Sequence, residues 1–242
     1  MFMKYFFLIA INIVNANAEK CVPGPFHKKY SSPATEERAA CGAYNTDTCC
    51  TANFTNELNK TRGRVLLGFD WGHCKSISRK CDEFLLRAVC FFNCEPRLIR
   101  WHAGNLTLRN VPVCGDYCDD WYEACKDDQT CVQEWLTDFE FANSTYTCPR
   151  NSTCRKFSEW YGNGQRLCNK LFGQNFRYVD PKCPCTKMDG PIPNHINETS
   201  TCNTATSTTV SSPTKPSSYC PRGKYSFHAT YLSLVLIAMI KY

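Results

Sequence analysis

The side chains able to do chemistry in this 242-residue chain are its 19 cysteines, its 5 histidines and a dense set of aromatic rings. Catalysis finds little to work with among them. None of His27, His73, His102, His195 and His228 lies near a Ser or Cys in a recognised nucleophile motif, and cysteines held in disulfides cannot act as nucleophiles. There is no HExxH and no glycine-rich phosphate loop. Cys183-Pro184-Cys185 lacks zinc-knuckle spacing and, in an oxidising compartment, reads as two separate bridges. Asp119, Asp120, Asp127 and Asp128 lack the EF-hand spacing of a calcium loop and read as a solvated acidic helix face. The expectation is a protein that is not an enzyme and has no metal and no catalytic cofactor. A formal charge of +6, spread along the chain without a Lys/Arg cluster, argues against nucleic-acid binding.

Binding has more support. Aromatic residues make up 13% of the chain and gather near cysteines: Phe91, Phe92, Trp101, Trp121, Tyr122, Trp135, Phe139, Phe141, Trp160, Tyr161, Phe172 and Phe176. Core packing accounts for most of them, Trp121 and Trp160 included. Phe92, flanked by Cys90 and Cys94, and Phe172, four residues after Cys168, stand out. Rings anchored so rigidly form ready-made walls, and a flat heteroaromatic ligand gains about 1–3 kcal/mol per stacking partner. Nanomolar affinity needs about 12 kcal/mol, so burial and hydrogen bonds must join the stacking.

The elements that must position these rings are legible in part. In the stretch Val111–Glu140, Cys114, Cys118, Trp121, Tyr122 and Cys125 fall on one face of an α-helix, which would tie that helix to three other parts of the chain. Trp135, Phe139 and Phe141 follow as aromatic surface. Lys80–Cys94 is a second helix, with Cys81, Phe84, Leu85 and Ala88 on one face and Asp82-Glu83 in its first turn. Phe157–Phe172 reads as a turn at Gly162-Asn163-Gly164 and then a helix through Cys168. Phe176–Val179 is a short strand. Cys21–Thr48 is loop-like, with a short helix over Glu36–Cys41. The adjacent Cys49 and Cys50 must pair with different partners.

So many cysteines behind a secretory leader mean a disulfide scaffold. Residues 1–18 carry Lys4, an apolar run and the small-x-small site Ala16-Asn17-Ala18; the run is too short to span a bilayer. Residues 19–196 form one disulfide-rich domain without internal repeats. Residues 197–218, rich in Ser, Thr and Pro, read as an O-glycosylated stalk. Residues 219–242 end in the apolar run Tyr231–Ile240, which matches the signal for a glycolipid (GPI) anchor and its removal. That run is short for a spanning helix; an uncleaved tail packed on the domain is the other alternative. Cysteine parity favours removal, since losing Cys220 from an odd set leaves an even one. Sequons at Asn53, Asn59, Asn105, Asn143, Asn151 and Asn197 fit a glycosylated extracellular surface.

The motifs CCTANFTNEL (49–58), KCDEF…CFFNCEPRLIRW (80–101), VPVCGDYCDDWYEACKDDQTCVQEWLTDFE (111–140) and SEWYGNGQRLCNKLFGQNF (158–176) carry a likeness. Over about Cys21 to Met188 the chain resembles the riboflavin-binding protein and folate receptor family of vitamin binders, with the stronger likeness on the riboflavin side. The resemblance implies an α+β fold: a single small disulfide-rich domain of several helices and short strands. It also implies the pairs Cys21–Cys49, Cys41–Cys90, Cys50–Cys94, Cys74–Cys154, Cys81–Cys125, Cys114–Cys185, Cys118–Cys168 and Cys131–Cys148, with Cys183–Cys202 completing the set.

By the same resemblance, Phe92 and Phe172 take the places of a Tyr and a Trp that sandwich the isoalloxazine ring. Trp135 matches a family tryptophan, and Phe139 replaces another beside the pocket. The folate anchors are missing: Ala88 stands where the pterin-binding Asp would be, Ala103, Gly104 and Thr107 where the basic and aromatic residues holding the glutamate would be, and Leu136 in place of a pocket His. A folate bound there would bury polar groups unpaired, at several kcal/mol. The expected ligand is therefore riboflavin, with folate or another pterin as runner-up. The expected protein is a monomeric receptor or carrier, at the cell surface through a lipid anchor or else secreted. The alternative of another class is a surface protein that recognises a protein partner and no vitamin, as an egg-surface member of the family does. His73 and His102 are the candidates for sensing acid on uptake.

Overall fold

The computed structural model describes residues 18–35, 39–61, 65, 66, 68–104 and 107–202. Residues 1–17 of the expected leader, residues 203–218 of the stalk, the apolar tail, Cys220 and the sequon at Asn105 lie outside the described residues.

In chain order, β1 (His27–Ser32) and β2 (Thr48–Cys50) form an antiparallel pair. Helix α1 (Ala52–Thr61) and the short hairpin β3 (Val65–Leu66) and β4 (Phe69–Asp70) follow. Helix α2 (Arg79–Cys94) runs into a 3-10 turn, Pro96–Trp101. Strand β5 (Val111–Cys114) leads into α3 (Gly115–Cys125) and β6 (Gln129–Thr130). A second hairpin, β7 (Glu140–Ala142) and β8 (Thr145–Thr147), precedes β9 (Arg155–Lys156), which pairs with β6. Helices α4 (Phe157–Trp160) and α5 (Gly164–Lys170) come next. The last strand, β10 (Phe176–Val179), pairs in parallel with β5. This is a mixed helix-and-strand fold, of the α+β class.

Three expectations need correcting. The region before Thr48 is not all loop: β1 lies between Pro25 and Pro33, which flank the strand rather than interrupt its ladder. The short helix expected at 36–41 is instead a 3-10 turn over Ala39–Tyr44, and residues 36–38 lie outside the described ones. The helix read from Val111 begins only at Gly115. Val111 and Val113 are β-branched and Pro112 disfavours helix in the residue before it, so this segment is extended, buried along its length, and Cys114 is the N-cap of α3 rather than part of its face.

Helices α2, α3 and α5 meet around Trp121, with Leu85, Phe91, Leu167 and Leu171 buried beside it. At the start of α5, Gly164 allows close approach to α3: a methyl there would come within 2.6 Å of the Asp119 nitrogen. The disulfides then fix the helices to one another and to the strands. Cys118–Cys168 joins α3 to α5, Cys81–Cys125 joins α2 to the end of α3, and Cys114–Cys185 holds the start of α3. Cys41–Cys90 and Cys50–Cys94 clamp the end of α2, while Cys21–Cys49, Cys74–Cys154, Cys131–Cys148 and Cys183–Cys202 secure the loops. These are the pairs the resemblance implies. Each bridge typically contributes about 2–4 kcal/mol by restricting the unfolded chain.

Candidate functional site

Phe92 sits in the last turn of α2. That helix starts at Ser78, whose side chain accepts a hydrogen bond from the Cys81 amide, and Asp128 fixes the same residue from across the fold by accepting from the Ser78 amide at 2.8 Å and hydroxyl at 2.6 Å. Asp128 is thus a tie between helices rather than part of a free acidic face. Phe92 is half-buried, and its ring meets His27 of β1 at 5.8 Å. Ala88, one turn earlier, is buried and offers no polar group of its own beside Phe92.

Phe172 follows the end of α5. Gly173 turns the chain there with φ 58°, a conformation that disfavours side chains, and a Cβ at that position would run into Glu134. The Phe172 ring touches Trp121 at 6.1 Å, Trp135 at 6.2 Å and 89°, and Phe176 at 6.0 Å. Trp135 is 5% exposed and Phe139 4%, their rings 6.3 Å apart and edge to face. Phe141, 41% exposed, lies on the β7–β8 hairpin instead. The backbone of this wall is pinned to α5, because the Trp135 amide donates to the Leu171 carbonyl at 2.8 Å.

Trp135, Phe139 and Phe172 therefore share one aromatic cluster, and Phe92 stands outside it. Among the described residues Phe92 and Phe172 have no ring contact with each other. Two other rings of α2 reach Phe172 through one intermediary each: Phe84 stacks with Trp121 at 6.3 Å, and Phe91 meets Phe176 at 6.3 Å. A planar ligand held between two rings needs about 7 Å between their planes, twice the ordinary carbon contact.

The sequence reading missed two members of the cluster. Phe69 of β4 lies 5.4 Å from Trp135, 5.0 Å from Phe139 and 5.7 Å from Tyr146. His73 packs edge-on against Phe139 at 4.7 Å and Trp135 at 5.6 Å. The available signal was an aromatic and a histidine just ahead of Cys74, the feature that singled out Phe92. His73 Nδ1 lies 3.1 Å from the Asp70 carbonyl, which only accepts, so this nitrogen carries the proton of the neutral ring. Its Nε2 faces the Thr130 hydroxyl at 3.1 Å, and the same oxygen accepts from the Trp135 indole at 3.0 Å. Burial holds the His73 pKa below the ordinary 6.5, against the raising effect of Asp70. The sulfurs of Cys74, Cys131 and Cys148 lie within 4.8 Å of a His73 nitrogen and of one another, but each belongs to a cystine and offers no thiolate to a metal.

The remaining sequence candidates are dispersed. Ala103, Gly104 and Thr107 form a tight turn, in which the Ala103 amide donates to the Thr107 carbonyl at 2.9 Å. Leu136 is half-buried beside the wall residue Trp135. His102 is also half-buried, and its Nε2 has no hydrogen-bond partner among the described residues. Asn53, Asn59, Asn143 and Asn151 are exposed, and Asn197 is half-buried with its side-chain oxygen accepting from Thr199. Asn143 and Ser144 both have positive φ, 52° and 60°, and make the two-residue tip of the β7–β8 hairpin. Among the described residues no helix is long and apolar enough to cross a membrane.

Comparison with known proteins agrees with this architecture. The model of the folate receptor family matches residues 20–187. The chain is 36% identical over 171 residues to the riboflavin-binding protein of Dromaius novaehollandiae, covering 70% of this chain and 71% of that protein. The likeness to the Gallus gallus riboflavin-binding protein has the same extent and identity. Human folate receptor gamma is 29% identical over 163 residues, 65% of this chain and 66% of the relative. The chain belongs to the folate receptor family.

Proposed function

We propose that this chain is an extracellular receptor or carrier that binds riboflavin between aromatic side chains for cellular uptake, and that it performs no catalysis. The observation that carries this reading is the cystine-fixed aromatic arrangement. Trp135, Phe139 and Phe172 form one wall, and Phe92 projects from a helix clamped by two disulfides at its end. The likeness to proteins named for binding riboflavin, at 36% identity, supports the same ligand. Folate or another pterin is the weaker ligand, because Ala88 gives α2 no carboxylate at that point and Ala103, Gly104 and Thr107 give the neighbouring turn no cation.

Residues 1–18 act as a leader in this proposal, residues 19–196 as the vitamin-binding domain, and residues 197–218 as a stalk. Residues 219–242 are exchanged for a lipid anchor, and the mature receptor is a monomer. The direct test is a calorimetric and fluorescence titration of the full chain, purified with its glycans in detergent, against riboflavin and folic acid. Saturable flavin binding stronger than folate binding is expected. No heat and unchanged flavin emission reject the proposal; binding of neither vitamin, together with capture of one defined membrane protein, establishes the recognition alternative. The exposed ring of Phe141 is the surface feature that alternative would use.

A further inference from the structure

Two cystines stand side by side next to the aromatic wall. The Cys74, Cys131 and Cys148 sulfurs lie within 4.8 Å of one another and of a His73 ring nitrogen, although Cys74 is bonded to Cys154 and Cys131 to Cys148. Among the described residues no other three cysteine sulfurs gather this way. Their accessibility differs. Cys154 is exposed, Cys74 and Cys148 are half-buried, and Cys131 is buried. A thiol in the medium therefore meets the first bridge at its Cys154 end, and disulfide exchange follows access.

The second bridge fastens the wall. Cys131–Cys148, with a sequence separation of 17, closes the segment that carries Trp135, Phe139 and the β7–β8 hairpin. Other ties on that segment include the Trp135 amide to the Leu171 carbonyl at 2.8 Å and the Tyr146 amide to the Gly68 carbonyl at 3.1 Å, each a single hydrogen bond. His73, a member of the sulfur cluster, packs against Phe139 at 4.7 Å and Trp135 at 5.6 Å. The cystine pair and the wall thus share a neighbour.

We propose that the two bridges form a thiol relay, through which a low-molecular-weight thiol acting at Cys154 unfastens Cys131–Cys148 and loosens the wall. In the first step the thiolate attacks Cys154 Sγ. A mixed disulfide forms there, the Cys74–Cys154 bond breaks, and its electron pair stays on Cys74 Sγ. That new thiolate, within 4.8 Å of Cys148 Sγ, attacks it in turn. Cys74–Cys148 forms, Cys131–Cys148 breaks, and Cys131 Sγ takes up the proton that the incoming thiol lost. The number of disulfide bonds is the same before and after. The segment stays bonded at Cys148 but loses its closure at Cys131, four residues before Trp135. Cys202 is exposed as well, but the Cys183–Cys202 bridge lies outside the cluster, so attack there opens one bridge and goes no further. The effect on ligand rests on the riboflavin reading; the exchange itself does not.

The test incubates the protein, purified with its glycans in detergent, with reduced glutathione, then quenches it with acid, alkylates it and maps it by mass spectrometry. Glutathione on Cys154, a Cys74–Cys148 cross-link and an alkylated Cys131 are expected, together with faster amide hydrogen exchange over residues 132–147. Riboflavin affinity is expected to fall about 5- to 150-fold, since binding must then re-order the Trp135 and Phe139 side chains. A variant carrying Cys74→Ala and Cys154→Ala is expected to keep Cys131–Cys148 closed under the same treatment. Opening of that bridge in the variant as fast as in the unaltered protein overturns the relay. So does a map of the unaltered protein that shows no glutathione on Cys154, or glutathione on Cys148 with Cys74–Cys154 intact; this map decides alone where the variant fails to fold. The cross-link without faster hydrogen exchange overturns the loosening of the wall. Absence of riboflavin binding before glutathione is added rejects the vitamin reading instead, and the map and hydrogen exchange still decide the relay.

Discussion

Phe92→Ala separates the binding role of this ring from any part in folding. Phe92 is half-buried, and its ring contact is with His27 at 5.8 Å, whereas Phe172 sits in a web of Trp121, Trp135 and Phe176. Truncating a fully buried Phe destabilises by about 3–5 kcal/mol; a half-buried one in a cystine-clamped helix is expected to lose about half of that. Loss of a stacking face removes about 1–3 kcal/mol of binding, which corresponds to an affinity decrease of about 5- to 150-fold. The assay is calorimetric titration with riboflavin at a temperature well below the melting point of the variant. Phe92→Leu is the control, since it keeps apolar volume without a π face. Unchanged affinity in a folded Phe92→Ala refutes the two-post sandwich. Full affinity in Phe92→Leu refutes stacking and leaves simple apolar packing.

Because Phe donates electrons poorly, flavin bound to this chain is expected to be quenched less than in Phe92→Tyr or Phe172→Trp, read as emission per bound ligand; equal quenching counts against direct ring contact. Ala88→Asp, which restores an acceptor on α2, is expected to strengthen pterin binding relative to riboflavin, and an unchanged ratio in competition titrations argues that position 88 does not border the ligand. On cells, phosphatidylinositol-specific phospholipase C is expected to release the protein into the medium, and complete retention excludes the lipid anchor. His27 and His73 have pKa values held below 6.5 by burial, so the unfolded chain binds protons first as pH falls. Stability from these two is fully present above about pH 6.5, declines as pH falls below that value, and reaches its full loss beneath the lowered folded values. Melting temperature measured from pH 7.5 to 5 is therefore expected to drop, and His73→Gln to flatten the drop; an unaltered slope rules His73 out.

The cysteine and aromatic pattern made the framework legible because those residues act through fixed spacing. Cys49 and Cys50 had to diverge, Cys183 and Cys185 had to take separate partners, and the helical stripe in Lys80–Cys94 matches α2 almost residue for residue. Neither the six residues of β1 nor the four of β5, which are buried along their length, bury alternate side chains, so these segments read as loop and helix in the sequence. Glu95 carried no signal at all. Its carboxylate, wholly buried, accepts from the Arg97 amide at 2.8 Å and the Ile192 amide at 2.9 Å, fixing a segment almost a hundred residues away. Burial raises its pKa, while those hydrogen bonds and Arg97 hold it down. Such a residue looks like any surface glutamate until the chain is folded around it.

The same reason explains why three of the expected rings, Trp135, Phe139 and Phe172, stand in one cluster while the polar groups beside them gave no signal. An aromatic ring beside a cystine announces itself, because a large apolar group on a rigid anchor has few places to go. A threonine does not. Thr130 nevertheless accepts from the Trp135 indole at 3.0 Å and faces His73 Nε2 at 3.1 Å, while its own proton has the Val132 carbonyl at 3.1 Å as the competing acceptor. With His73 neutral, Nε2 is an acceptor for the Thr130 hydroxyl; with His73 protonated, Nε2 becomes a donor and that hydroxyl must turn to Val132. A proton on His73 would thus change one hydrogen bond at the oxygen that accepts from the Trp135 indole. The cystines set where the rings stand, and the Thr130 hydroxyl couples the protonation of His73 to the indole of Trp135.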